Sequence, residues 1–324
     1  MENRADRIAG LLDALRAEAG ALGCGGFLAR LDALHRTDLL TRLVYDRLQR
    51  KYETAEEIYR RSGQNWNQTF YTLLFRYMGD PSNRETYMEL ARRASYGIVL
   101  REQRSLARIE ALLFGTAGLL DGLRPDDYIR QLRAEFDYLR SKYGIEPLDP
   151  GRWRSRNIRP DNAPHLRIAQ LATFLAGHDF LFEQVVACRT PDQVRRLFGA
   201  EASAYWVAKT RSSPDEHQRS RRVGRLKGDI FGINLVSILQ YAYGSYTRSE
   251  TLRERAIALL ESIPPEENRY MRRWSAYGLR PANAFETQGL LQLAVEYCGR
   301  GRCEQCPVAR RIIDGILREE GTDE

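Results

Sequence analysis

At 324 residues, 43% of them hydrophobic, the chain is long enough to bury one large core or two ordinary ones. No run approaches the roughly 18 apolar residues of a membrane span. The charged opening MENRADRIAGLLDALRAEAG does not read as a signal peptide, so a soluble, cytoplasmic protein with no membrane partner is expected. The net charge is +7, carried almost wholly by arginine, with lysine only at Lys51, Lys142, Lys209 and Lys227. That balance suits a phosphate-bearing partner, and it fits equally an arginine-rich composition that serves no partner.

Taken in order, the chain reads as helix after helix. Ile8, Leu11, Leu12 and Leu15 make one apolar stripe over residues 4–18. After the break at Gly23-Cys24-Gly25-Gly26, Thr37 or Asp38 is expected to cap a long helix with Leu39, Leu40, Leu43, Val44, Leu48 and Tyr52 on its inner side. Asn65 opens an aromatic-rich helix that Gly79-Asp80-Pro81 stops. Further helices are expected over 84–95, through Ile109, Leu112, Leu113 and Phe114, and from Pro125-Asp126-Asp127 to Gly144.

An internal echo follows. Trp153–Ala172 reads WRSRNIRPDNAPHLRIAQLA, and Trp274–Ala294 reads WSAYGLRPANAFETQGLLQLA, with Arg-Pro-x-Asn-Ala six residues after the tryptophan in both. Two such matches suggest a duplicated helical unit. Asn162 and Asn283 are the expected N-caps, with Glu286 completing a capping box in the second copy. His165 occupies the place of Glu286 and is expected to be neutral and structural, because a helix N-terminus disfavours an imidazolium. Gln170 and Gln292, on helices apolar nearly all round, should bond to backbone or to each other's copy, with a polar pair lining a pocket as the alternative. The shared Arg159 and Arg280 are read as structural, whereas Arg152, Arg154, Arg156 and Arg167 belong to the first copy alone.

Residues 209–227 read as a loop dense in cations, including Arg219, Arg221, Arg222, Arg225 and Lys227, with Tyr205 and Trp206 alongside as stacking faces. The functional reading is contact with nucleic acid through Arg154, Arg156, Arg167 and this loop; the alternative is a solvated connector. At the other end, Cys298-x4-Cys303-x2-Cys306 suits metal better than a disulfide: zinc first, an iron–sulfur cluster second. Cys24 is the first choice for a fourth ligand and Cys188 the second, with metal-free thiols as the alternative.

Asn65-Trp66 through Leu74, Ile109–Gly115, Arg159–Ala172 and the Tyr297–Cys306 cysteine run resemble the bacterial family known as domain of unknown function family 2851, over about Cys24 to Ile313. The resemblance implies a helical companion to a nuclease-like N-terminal region, with this chain beginning after that region. Arg302–Pro307 is similar, more weakly, to the iron–sulfur loop of helix-hairpin-helix DNA glycosylases, whose spacing is longer.

The chain has no Gly-x-Ser-x-Gly elbow, phosphate-binding Gly-x-x-x-x-Gly-Lys, His-Glu-x-x-His or dinucleotide fingerprint, so no catalytic residue is assigned. The expected fold is all-α, a multi-helical globular unit with an embedded duplication, its parts being 1–150 and 151–324. The expected function is a non-catalytic domain that binds DNA or RNA, or an accessory to a nuclease. A scaffold docking a nuclease-like protein domain is the second reading, and an enzyme with an unrecognised site the third.

Overall fold

A computed structural model describes residues 4–19, 22–179, 181–210 and 221–320, and among them every named element is helical. The strand-like pairing among the described residues is the isolated antiparallel bridge between Glu201 and Arg222. The fold is therefore all-α. None of the described helices is long and apolar enough to cross a membrane.

Local chemistry sets the helix boundaries. Asn65 accepts from the Gln68 amide at 3.1 Å and Asp126 from the Ile129 amide at 2.9 Å, each starting its helix as an N-cap should. Gly144 ends the Asp127–Tyr143 helix in the left-handed region at φ 63°. The long helix runs Ala33–Arg61, earlier than expected: Asp32, not Thr37 or Asp38, accepts from the His35 amide at 3.0 Å. Gly118 stands at φ +69°, and a Cβ there would meet the Leu148 carbonyl oxygen at 2.0 Å, so both conformation and space require glycine.

Contacts divide the chain into two units, Met1–Glu53 with Ile257–Glu324, and Thr54–Ala256. In the first, Leu22, Leu28, Leu39, Leu40 and Leu43 bury against Trp274, Leu290, Leu293 and Val308. In the second, Phe70, Tyr71, Phe75, Tyr87, Phe114, Ile168, Leu171, Trp206 and Phe231 are among the buried side chains. The two echoing segments fall one in each unit. Both tryptophans are buried with their indole N–H satisfied by a carbonyl, Trp153 by Ala117 at 2.8 Å and Trp274 by Leu290 at 3.3 Å.

The segments differ where their helices begin. Asn283 caps Ala284–Gln292 as expected, accepting from the Glu286 amide at 3.0 Å, while the Glu286 carboxylate accepts from the Ala282 amide at 2.9 Å. Asn162 does not cap. Pro160–Asn162 forms a 3-10 turn, Ala163 takes the cap position with no side-chain bond, and Pro164 at the first helical position removes one donor that a cap would otherwise serve. The side chain of Asn162 is thereby left for another task.

Candidate anion-binding cleft

The Pro164–Ala176 helix places Arg167 and Gln170 one turn apart on one face, both buried. The Arg167 guanidinium is held by neutral amide oxygens: Nη2 and Nε donate to Asn162 Oδ1 at 2.8 and 3.3 Å, and Nη1 to Gln170 Oε1 at 2.8 Å. Gln170 in turn donates through Nε2 to the Arg221 carbonyl at 2.8 Å. The same stretch is held from its other side by the bridge, with the Val223 amide donating to Ala200 at 2.9 Å. Arg221, itself buried, reaches Asp161 at 3.7 Å and donates to the Thr210 carbonyl at 3.3 Å; the Asp161 carboxylate is 80% exposed.

Lys227 lies in the first turn of the Arg225–Phe231 helix and is only 8% exposed, its ammonium donating to the carbonyls of Tyr77 at 3.1 Å and Gly79 at 3.4 Å. Arg167, Arg221 and Lys227 line one cleft with the exposed Arg159 and Arg222. The cleft measures about 520 Å³, a size usual for ligand sites, and its acids are Asp80 and Asp161. Burial, then the nearby Arg167 charge, push the Lys227 ammonium down to about 7, with Asp80 opposing. Burial likewise lowers Arg167, against the pull of Tyr87 and Asp161. Burying a cation costs free energy unless an anion or good acceptors compensate. A bound oxyanion would supply that compensation, and guanidinium groups match its oxygens well.

Of the cations expected to meet nucleic acid, Arg167, Arg221, Arg222 and Lys227 line this cleft. Arg154, Arg156 and Arg225 are exposed outside its lining, and Arg219 lies outside the described residues. Arg154 is anchored by its backbone, which exchanges two 2.8 Å bonds with the Asn83 side chain. Arg222 donates to the Gly199 carbonyl at 2.9 Å. The ends of the expected 209–227 loop are helical: Lys209 closes Ala204–Lys209 and pairs with Asp126 at 3.0 Å, while Arg225 and Lys227 begin a helix.

Trp206 offers no stacking face. It is fully buried, stacked on Phe114 at 3.9 Å, with Nε1 donating to the buried Glu110 at 2.8 Å, because a large ring gains more from burial than from exposure beside a loop. The Tyr205 hydroxyl donates to Asp126 at 2.8 Å. His165 sits near the Phe114 and Trp206 rings, and burial pushes its imidazole down, toward the neutral form. Arg159, expected to be structural, and Asn162, expected to cap, line the cleft, and so does Gln170, for which a pocket lining was the alternative expectation; the signals available were the Arg-Pro-x-Asn-Ala motif and the one-turn spacing of Arg167 and Gln170.

The second Arg-Pro-x-Asn-Ala segment lines a smaller cleft of about 340 Å³ with Arg280, Pro281, Ala282 and Glu286, beside Arg36 and Thr37. Its glutamines face the long helix: Gln292 accepts from Arg50 at 3.3 Å, and Gln288 bonds Arg47 and Glu266. Gln170 thus bonds backbone as anticipated. Gln292 bonds a guanidinium instead, because the neighbouring helix presents arginines there.

All five cysteines are free thiols. Cys303 and Cys306 are buried in the first unit's core, with Cys24 and Cys298 packed partly buried against it. Burial, followed by the neighbouring sulfurs, pushes both Cys24 and Cys298 up to about 12. Cys188 is buried elsewhere, its thiol donating to Gln184 at 3.4 Å. Among the described residues no three of His, Cys, Asp and Glu already stand at metal-ligand spacing.

No curated protein and no solved structure matches the chain. One family model does, over residues 5–269, a span that takes in the first copy and its cleft and stops before Trp274 and the cysteine run. On that match the chain belongs to the family described as "Protein of unknown function (DUF2851)".

Proposed function

We propose that the Thr54–Ala256 unit binds phosphate groups of a nucleic acid, DNA or RNA, without catalysing its turnover. One observation carries this reading: three buried cations, Arg167, Arg221 and Lys227, meet in a single open cleft whose acids are Asp80 and Asp161. A fold that only needed rigidity would reach it at lower cost with apolar side chains of similar volume. Arg167 is oriented by Asn162 and Gln170 rather than neutralised, the arrangement of a donor kept ready for an incoming anion. The lining supplies more cationic hydrogen-bond donors than its two carboxylates can pair, which favours binding of an anion. Arg154, Arg156 and Arg225, exposed elsewhere on this unit, are available to a longer strand.

Filter binding or fluorescence anisotropy with single-stranded and duplex oligonucleotides at two salt concentrations tests the reading. Three phosphate contacts on a single strand at a slope of about 0.7 per contact imply a loss of roughly tenfold to thirtyfold between about 50 and 200 mM salt. Inorganic phosphate should compete. An absence of binding at the lower salt would refute the reading.

A further inference from the structure

Four of the five cysteines come from opposite ends of the chain, Cys24 from one and Cys298, Cys303 and Cys306 from the other, yet pack about one core. We propose that these four thiols are a zinc site, closed by four sulfur ligands with no position left for substrate. A lone buried cysteine is ordinarily a small hydrophobe. That explanation suits Cys188, which has no such company, but leaves the convergence of the other four unexplained. Every pair among them lies within electrostatic reach: Cys24 with Cys303 and Cys306, Cys298 with the other three, and Cys303 with Cys306.

The backbone around them is built from turns that bring sulfurs together. Gly301, left-handed at φ 63°, lets its amide return to Cys298 at 3.2 Å and the Arg302 amide to Tyr297 at 3.0 Å. A 3-10 turn over Cys303–Gln305 then closes with the Cys306 amide donating to Cys303 at 3.1 Å. Cys306 stands at the start of the Pro307–Glu320 helix, where the Val308 and Ala309 amides hydrogen-bond to it. Cys24 precedes the Gly25–Arg30 helix within a glycine break packed closely against Glu18 and Tyr277. Arg16 lies near Cys303 and Arg273 near Cys298, while Glu304, Glu18 and Asp46 lie near Cys303, Cys24 and Cys306.

Binding requires the sulfurs to close to about 2.3 Å from the metal, from positions that are not yet at metal-ligand spacing. Each thiol releases its proton to solvent, the ion sheds its water, and no electron is transferred. Zinc is favoured over a cluster because four sulfurs complete its tetrahedron with no added sulfide.

Elemental analysis of the purified full-length chain is expected to find one zinc per chain and no iron, with Cys188→Ser unchanged and Cys24→Ser or Cys303→Ser losing nine-tenths or more, about tenfold. Because those variants can misfold, the wild-type chain stripped of metal is also titrated with cobalt. The intense visible bands of a tetrahedral tetrathiolate should saturate at one equivalent and vanish on adding zinc. A folded, metal-free protein whose cobalt spectrum is that of the free ion would overturn the proposal. So would iron with acid-labile sulfide, or a folded Cys24→Ser protein with zinc content and cobalt spectrum unchanged.

Discussion

The two Arg-Pro-x-Asn-Ala segments each line a cleft in their own unit, and the clefts differ in how much positive charge they gather. Around Arg159 the lining holds five cations against two carboxylates; around Arg280 it holds two arginines and Glu286. The divergence begins at the helix start. Asn283 and Glu286 spend their side chains capping, whereas Pro164 and the preceding 3-10 turn leave Asn162 to orient Arg167. The shared residues, Trp153 and Trp274 above all, maintain packing. Cations outnumber carboxylates in the cleft of the first segment, and the proposed ligand is assigned to it on that ground.

The largest expected effects test the shared part. Trp153→Ala and Trp274→Ala should each cost about 3–5 kcal/mol in chemical denaturation, the range for deleting a buried aromatic ring. If one were costly and the other near neutral, the segments would not be structural equivalents. The next test concerns the part that differs. Arg167→Gln should weaken oligonucleotide binding by about 1.5–3 kcal/mol, the worth of hydrogen bonds to a charged group, while Arg280→Gln should leave affinity unchanged. Equal losses from both would erase the distinction.

Lys227 adds a pH dependence. Its ammonium, ordinarily near 10.5, is held near 7 by burial and Arg167, so the folded state binds fewer protons than the unfolded state between those values. Stability of the ligand-free protein should therefore rise as pH climbs from about 7 towards 10.5, the buried-charge penalty being fully present below that window. An anion favours the protonated amine, so oligonucleotide affinity should fall as pH rises past about 7, and Lys227→Met should flatten both profiles. The smallest effect separates the asparagines. Asn283→Ala should cost about 1 kcal/mol as a lost cap, whereas Asn162→Ala should appear mainly in ligand affinity, because its side chain caps nothing.

What could be read in the sequence was local. The caps at Asn65 and Asp126, the stop at Gly144 and the stripe Leu39, Leu40, Leu43 and Val44 depend on residues a few positions apart, and such signals survive folding. The Ala33 start was missed because Asp32 and Asp38 are both competent caps and only the helix entry distinguishes them. At the cleft, residue type was legible and placement was not. Arg221 is buried because the bridge at Glu201 and the side chain of Gln170 carry its backbone inward, and those partners stand 20 and 51 positions away. The same non-local packing removed Trp206 from the surface and set Lys209 against Asp126.

The most direct measurement is an anisotropy titration of one labelled single-stranded oligonucleotide against wild type, Arg167→Gln and Arg280→Gln at fixed low salt, repeated with inorganic phosphate as competitor. The account predicts salt-sensitive binding that phosphate displaces, that Arg167→Gln weakens by about tenfold or more and that Arg280→Gln preserves. Wild-type and Arg167→Gln proteins binding with the same affinity, or neither binding, would contradict it.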